Sequence, residues 1–563
     1  MNKKVQVESS YLWRYRIVVA LFVLMTLVVI GRLISMYWVD LEFLQGQGDA
    51  RAIRTDRIAA HRGMIMDRNG EPLSISTPVV SIWVNPREAI VGAETWPRLA
   101  RALGYKRGEL ERKITSRSKK SFVYLRRHMP PAQADKILAL KVPGVYGQKE
   151  YRRYYPAGEV AAHVVGFTDV DDAGQEGVEL VFDEWLRGEP GKKRVLKDRY
   201  GRVIRDLQAI KTASPGKNLR LTIDSRIQYL AYRQLKEAIA RHGAASGSVV
   251  VVEVGTGEIL AMANQPSYNP NNRLRLNVSH LRNRAVTDVF EPGSTMKPLT
   301  VAAALLHKKV TPRTVIDTSP GYLKIGKATI RDHRNYGKID VTKIITKSSN
   351  VGVTKLAFSL PENALRNLFF GVGLGQSTGV EFPGESVGLL PERRKWREIE
   401  LASLSYGYGL SVTPLQLAQA YSVIADNGKK QPLTLIKENS YPIEGEQVLP
   451  AKVSAQVLSM LETVVGKEGT GRRASVDAYS VAGKTGTVHK VGHDGYQDDE
   501  YLAVFAGVAP ARNPKIVAVV VINEPKGDEY YGGEVAAPVF SGVVSGALRL
   551  MNVSPDKLHV AQR

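Results

Sequence analysis

In the stretch EPGSTMKP (291–298) a serine stands three residues before a lysine, and a proline follows the lysine directly. Proline is tolerated in the first turn of a helix but clashes further in. Pro298 therefore places the helix start close to Ser294, and the run LTVAAALLHKK carries the helix onward. The spacing predicts Ser294 at the positive end of that helix, with Lys297 on the same face. Burial and the helix dipole both disfavour an ammonium there, lowering the lysine's pKa toward that of a useful base. A hydroxyl is a poor nucleophile until such a neighbour takes its proton. On its own, the same segment also describes a capped helix start with a surface lysine.

Two further segments add to it. TKSSNVG (346–352) supplies Ser348 and Asn350 at an expected helix junction. AGKTGT (482–487) sets Lys484, Thr485 and Thr487 on a strand, with Gly486 allowing close backbone approach. That strand is expected to be an exposed sheet edge, open to pairing with an extended peptide whose carboxylate the lysine attracts. Singly, these read as a local cap and an edge-strand turn. Together and in this order, Ser-x-x-Lys, Ser-x-Asn and Lys-Thr-Gly form a known catalytic set. Tyr530 and Tyr531 are candidates to line the same pocket. His333 has no serine–acid partnership and reads as a loop-stabilising hydrogen-bonder, and His163 as a structural histidine. No His/Asp/Glu group has ligand spacing, so neither a metal nor another cofactor is expected.

These residues need elements to hold them. After the breaker-rich KTASPGKN (211–218), LRLTID reads as a short strand, 225–241 as an amphipathic helix, and 248–264 as a hairpin across Gly255-Thr256-Gly257. A helix-rich stretch runs from Ser294 to about Gly428, followed by three strands and a helix after Pro538. Strands at both ends with helices between them predict one antiparallel sheet flanked by helices. Upstream, the segment around Asn69-Gly70 carries a hairpin signal, while TWPRLARALG and PAQADKILAL have helical spacing. Nothing in that part has catalytic spacing, so it reads as a platform.

The chain of 563 residues carries 78 Lys and Arg against 55 Asp and Glu, a formal charge of +23 that favours an anionic environment. Nucleic-acid signatures are missing. With no cysteine, disulfides, thiolate metal sites and cysteine nucleophiles are excluded. Ile17 to Val39 is apolar enough to span a bilayer if Arg32 snorkels or faces a partner. Lys3, Lys4, Arg14 and Arg16 before it, and Asp40 and Glu42 after it, put the N-terminus in the cytoplasm and the remainder outside. No cleavage pattern follows, so the segment reads as an uncleaved anchor. The expected division is a tail at 1–16, an anchor at 17–39, a platform at 40–215, a catalytic domain at 216–555 and a tail at 556–563.

The stretch from about Leu219 to Leu550 resembles a penicillin-binding transpeptidase domain. The anchor, RGMIMDRNG and YYPAGEVAAHVVGF…GQEGVE resemble the class B, monofunctional penicillin-binding proteins. EPGSTMKP, IRDHRNYG, YGLSVTPLQLAQAY, VAGKTGT and YYGGEVAAPVF are similar to the division-specific septal members from Gram-negative rods. The resemblance implies an α+β chain: a transmembrane helix, an elongated platform of the dimerisation-domain kind, and a serine β-lactamase-like transpeptidase domain. It implies attack by Ser294 on the D-Ala-D-Ala end of a peptidoglycan stem peptide, with Lys297 as base. Ser348 and Asn350 then relay protons and hold the peptide amide, supported by Lys484. Thr485, Gly486 and Thr487 bind the substrate carboxylate, and the N–H groups of Ser294 and Thr487 form an oxyanion hole. A diaminopimelate amine resolves the acyl-enzyme, β-lactams acylate it, and a SEDS-type glycosyltransferase with other divisome membrane proteins are the implied partners in the inner membrane. An elongation-type transpeptidase, a carboxypeptidase or β-lactamase-like hydrolase, and an idle β-lactam-sensing scaffold are the alternatives.

Overall fold

The computed structural model describes residues 8–198, 203–274, 276–437, 444–492 and 495–557. Lys3, Lys4 and residues 558–563 of the expected tail lie outside the described residues. The chain forms two compact units, one of residues 1–60, 78–150 and 189–214, the other of 61–77, 151–188 and 215–563. Segments 61–77 and 151–188, read from sequence as platform, thus pack within the second unit.

In the first unit, helix α1 (Glu8–Trp38) leads through α2 (Leu41–Ala52) into strand β1 (Ile53–Ile58). Residues 12–38 of α1 are long and apolar enough to cross a membrane, and none of their most apolar stretch is buried against protein. Arg32 leans along the helix to an ion pair with Asp40 at 3.1 Å, the direction expected of a snorkelling cation. Strand β1 pairs antiparallel with β2 (Gly191–Lys197), which pairs with β3 (Val203–Lys211). A separate small core gathers Val80, Ile82, Leu99, Ile114 and Ile137. The helices expected from TWPRLARALG and PAQADKILAL occupy Trp96–Leu103 and Pro131–Leu138.

The second unit is built on a five-stranded antiparallel sheet. Its strands are β4 (Ser246–Glu253), β5 (Ile259–Gln265), β6 (Ala482–Gly492), β7 (Gly495–Ala509) and β8 (Ile516–Asn523), in the spatial order β5-β4-β8-β7-β6. Runs such as Val249–Val252 and Val517–Val520 are fully buried, because helices cover both faces. On one face lie α3 (Ser225–Arg241) and α8 (Gly532–Leu550); on the other are α4 (Lys297–Leu306), α5 (Val341–Lys347), α6 (Asn350–Phe358) and α7 (Pro414–Ala425). Two predicted elements differ. LRLTID contributes only Leu219–Arg220 as strand, parallel to Ile65–Met66 and outside the central sheet. Helix α8 begins well before Pro538, with the proline inside it. The carbonyl of Glu534, four residues back and deprived of its usual donor, instead accepts a long bond of 3.4 Å from Arg473 Nη1.

The motifs upstream of the catalytic segment are fastened into this unit by charge. Arg62 donates to Glu179 at 2.7 Å and to Asp183 at 2.6 Å, and Arg153 donates to the other oxygen of Glu179 at 2.6 Å, all three of Arg62, Arg153 and Glu179 being buried. Asp67 accepts from both the amide and the hydroxyl of Ser225 at the start of α3. The sheet itself is held to α8 by aromatic packing: Phe505 of β7 meets Phe540 with ring centroids 4.7 Å apart, both fully buried. Phe540→Ala is expected to destabilise the second unit by about 3–5 kcal/mol in denaturant unfolding, whereas a change below about 1 kcal/mol would contradict this role.

Candidate active site

The serine and lysine of EPGSTMKP occupy a change of helix type. Residues Gly293–Met296 form a 3-10 turn and Lys297 opens the α-helix α4, with Pro298 in its first turn as the sequence required. The turn is tightly held. Gly293 has φ +54° and its amide donates to the carbonyl of Gly407 at 2.9 Å. A side chain on Gly407 would come within 2.0 Å of the Gly293 carbonyl oxygen. Tyr421 of α7, fully buried, donates its hydroxyl to the carbonyl of Thr295 at 2.8 Å, and Glu291 accepts from the amide of Gly409. Neither Tyr421 nor Glu291 was singled out from sequence, since each acts through a contact more than 100 residues distant along the chain.

The Ser-Ser-Asn segment joins α5 to α6, and its three residues divide the work. Ser348 ends α5 in the left-handed region at φ +59°, a conformation that side chains other than glycine adopt only when the surroundings impose it. Ser349 caps α6 by accepting from the amide of Gly352. Asn350 begins α6. The bland reading, a local cap, therefore holds for Ser349, while Ser348 and Asn350 turn inward to the lysine.

Lys297 Nζ lies 2.6 Å from the carbonyl oxygen of Ser348, 2.6 Å from Asn350 Oδ1 and 3.1 Å from Ser348 Oγ. Asn350 cannot reverse its amide, because its Nδ2 donates to the carbonyl of Arg331 at 2.9 Å. Two of the three contacts are thus obligate acceptors. A neutral amine satisfies both with its two N–H bonds and keeps its lone pair for a hydroxyl proton. Lys297 is fully buried, and its pKa lies well below the ordinary lysine value, first through burial and then through the nearby charge of Lys484. Asp332 opposes this in part.

Lys484, on β6, stands on the far side of the same hydroxyl. Its Nζ is 3.0 Å from Ser348 Oγ and 3.1 Å from the carbonyl of Thr485, and burial pushes its pKa down to about 7. Ser348 Oγ consequently bridges the two lysines. Strand β6 is a sheet edge, as expected, but Val481 to Gly486 are buried rather than exposed. Gly486 serves close approach: a Cβ there would meet the Pro292 carbonyl and the Thr295 methyl at 3.1 Å, so the strand presses on the serine-bearing turn. Thr485 exchanges a hydrogen bond with Thr470 at 2.8 Å, and Thr487 Oγ1 accepts from the amide of Gly532 at 2.9 Å.

Not every candidate joins this cluster. Half-buried Ser294 lies one turn before Lys297, and its hydroxyl has no hydrogen-bond partner among the described residues. Tyr530 stacks between the exposed Tyr531 and Tyr501, at centroid distances of 4.4 and 4.3 Å, forming an aromatic ladder next to Gly532. His333 is exposed and its side chain bonds nothing among the described residues, so the loop-stabilising role expected of it falls instead to its neighbour Asp332. Asp332 accepts from Ser349 Oγ at 2.6 Å and from the amides of Asn350 and Val351 at 2.5 and 3.0 Å. An acid opposite the first amides of a helix is a recognisable cap, but only the fold brings it to α6. His163 is structural as read: it is buried, its Nε2 donates to the carbonyl of His280 at 2.8 Å, and burial pushes its pKa down to about 4.

Residues 57–221 match the model for the penicillin-binding protein dimerisation domain, and residues 247–545 match that for the penicillin-binding protein transpeptidase domain. The chain is 44% identical over 551 residues to the peptidoglycan D,D-transpeptidase FtsI of Escherichia coli, covering 97% of this chain and 93% of that one. It is 41% identical to the probable peptidoglycan D,D-transpeptidase PbpC of Pseudomonas aeruginosa, covering 97% and 96%. Among solved structures, the transpeptidase domain of penicillin-binding protein 3 from Burkholderia pseudomallei aligns with a TM-score of 0.56 and 42% identity over 60% of this chain and 98% of that one. Penicillin-binding protein 3 of Mycobacterium tuberculosis, complexed with aztreonam, aligns with a TM-score of 0.69 and 28% identity over 89% and 98%. A Ser-x-x-Lys turn, a Ser-x-Asn junction and a Lys-Thr-Gly strand meeting on this fold agree with those likenesses, and the chain belongs to the class B penicillin-binding proteins.

Proposed function

We propose that the chain is a peptidoglycan D,D-transpeptidase of the FtsI type, forming peptide cross-links at the division septum through an acyl-enzyme on Ser294. The observation that carries this reading is the buried Lys297, whose Nζ is held between two fixed carbonyl oxygens at 2.6 Å. Ser294 Oγ attacks the carbonyl of the penultimate D-alanine while its proton passes to the lone pair of Lys297. Negative charge gathers on the carbonyl oxygen and is met by the N–H groups of Ser294 and Thr487, donors of a kind each worth roughly 3–4 kcal/mol elsewhere. Collapse breaks the D-alanyl–D-alanine bond. The leaving amine takes a proton from Ser348, which is replenished from Lys297 across 3.1 Å. An incoming diaminopimelate amine then attacks the ester, gives its proton back along the same path, and releases Ser294.

The other residues bind and orient. Asn350 holds the peptide amide, Thr485 and Thr487 hold the terminal carboxylate beside Gly486, and Lys484 supplies positive charge to both. Tyr530 and Tyr531 offer an aromatic flank to the acceptor side. A β-lactam would occupy the donor site and acylate Ser294. The apolar α1 anchors the protein in the inner membrane by a single pass, with the N-terminus cytoplasmic and the catalytic unit periplasmic, where SEDS-type glycosyltransferase and divisome partners would meet the anchor and the dimerisation domain.

Intact mass after incubation with benzylpenicillin should show a lasting adduct on the wild type and none on folded Ser294→Ala. A transient adduct accompanied by drug destruction would mark a hydrolase instead. Absence of any adduct on folded wild-type protein would overturn the acyl-enzyme. Asp332→Ala should lose about 1–2 kcal/mol of stability through the uncapped α6 and acylate at least about tenfold more slowly through displacement of Asn350. Unchanged acylation at reduced stability would remove Asp332 from the positioning of the site.

A further inference from the structure

Strand β3 is exposed at every one of its nine residues. It is also irregular: its pairing with β2 steps past Ile204, Leu207 and Ile210 in turn. Each step leaves one residue out of the ladder, and each omitted residue is a large aliphatic. They are 63%, 42% and 50% exposed. An extra residue in one strand re-aims its side chain and bends the edge, which hinders the regular addition of another strand. The repeated interruption thus presents aliphatic side chains outward, at three-residue intervals, from an edge poorly suited to backbone pairing.

Charge surrounds that row. Across β1, β2 and β3 there are eight Lys and Arg against two Asp, a formal excess of six positive charges on three short strands. Part of this charge is paired: Lys193 meets Asp206 at 3.0 Å, and Lys211 meets Glu189 at 2.5 Å. The chain also keeps this sheet close to the anchor. Only residues 39–52 separate α1 from β1, twelve of them in α2, which is about 18 Å long at 1.5 Å per residue.

Aliphatics standing out from a basic surface near a membrane-spanning helix have the chemistry of a bilayer interface, where apolar groups enter the headgroup region and cations meet anionic lipid. We propose that the β1–β3 sheet docks on the anionic phospholipid surface of the membrane that α1 crosses, with Ile204, Leu207 and Ile210 entering the interface and Lys192 and Lys193 of β2 engaging lipid phosphates. The docked sheet would restrain the dimerisation domain near the leaflet. The inference rests on α1 being a membrane anchor.

The native chain has no cysteine, so single labels can be placed on the full-length protein. Nitroxide labels on Leu207→Cys and, separately, on Leu24→Cys would be compared in nanodiscs of phosphatidylcholine alone and of phosphatidylcholine with phosphatidylglycerol. The label at position 24 should be accessible to oxygen and shielded from a water-soluble nickel relaxant in both lipids, which tests the anchor independently. At position 207, nickel accessibility should fall at least about threefold when phosphatidylglycerol is present, in keeping with the attraction of each basic residue to anionic lipid. It should recover in high salt, and also in Lys192→Glu/Lys193→Glu protein. Equal nickel accessibility in both lipids, with position 24 behaving as stated, would overturn the docking while leaving the anchor intact. So would protection that persists in detergent and grows with protein concentration, because a second copy would then be the occupant.

Discussion

Two lysines buried beside one hydroxyl are the constraint around which the catalytic unit is organised. Lys297 and Lys484 both lie within hydrogen-bond distance of Ser348 Oγ and both are fully buried. Burial opposes the charge of both, and at Lys297 the nearby charge of Lys484 opposes it further. Folding therefore lowers both pKa values, Lys297 well below its usual range and Lys484 to about 7. The linkage has a definite sign. The unfolded chain, with lysines at about 10.4, binds more protons than the folded one above the lowered values. For Lys484 the penalty on stability is full below about pH 7 and is relieved as pH rises toward the unfolded value. The fold tolerates the cost of burying both because a neutral amine at Lys297 makes serine chemistry possible at ordinary pH.

Everything close to the lysines serves to hold them in place. Gly293 and Gly407 let two loops touch, Tyr421 ties down the turn, and Gly486 lets β6 press against it. The left-handed backbone of Ser348 is what allows its carbonyl and hydroxyl to face Lys297 together. Asp332 and Ser349 secure the first turn of α6, and with it Asn350. The scaffold beneath is rigid for a plain reason: its central strands are buried on both faces and interlock with α8 through Phe505 and Phe540.

Much of this was legible in the sequence, and the limits have physical causes. Pro298 announced the start of α4, paired glycines announced the β4–β5 hairpin, and long apolar runs announced the buried strands. These are local signals. Helix α8 was read as starting too late because Pro538 is a strong local breaker, and its compensation by Arg473 is a tertiary contact. LRLTID reads as a short strand from its local composition, but its pairing with Ile65–Met66 is set by distant chain. In RDHRNYG the histidine drew attention by its chemistry, while the aspartate beside it makes the contacts. Spacing identified the site's lysines; only packing explains why Lys297 is neutral enough to act as a base.

The central claim is that Lys297 is a neutral base in the resting protein. It is tested most directly by NMR titration of lysines labelled at the side-chain nitrogen, with the Lys297 signal assigned by its loss in Lys297→Arg. The account predicts a Lys297 midpoint well below 10.5, with the amine largely neutral near physiological pH. A Lys297 signal that stays protonated through about pH 9, close to the value for a free lysine, would contradict the account and require another base for Ser294.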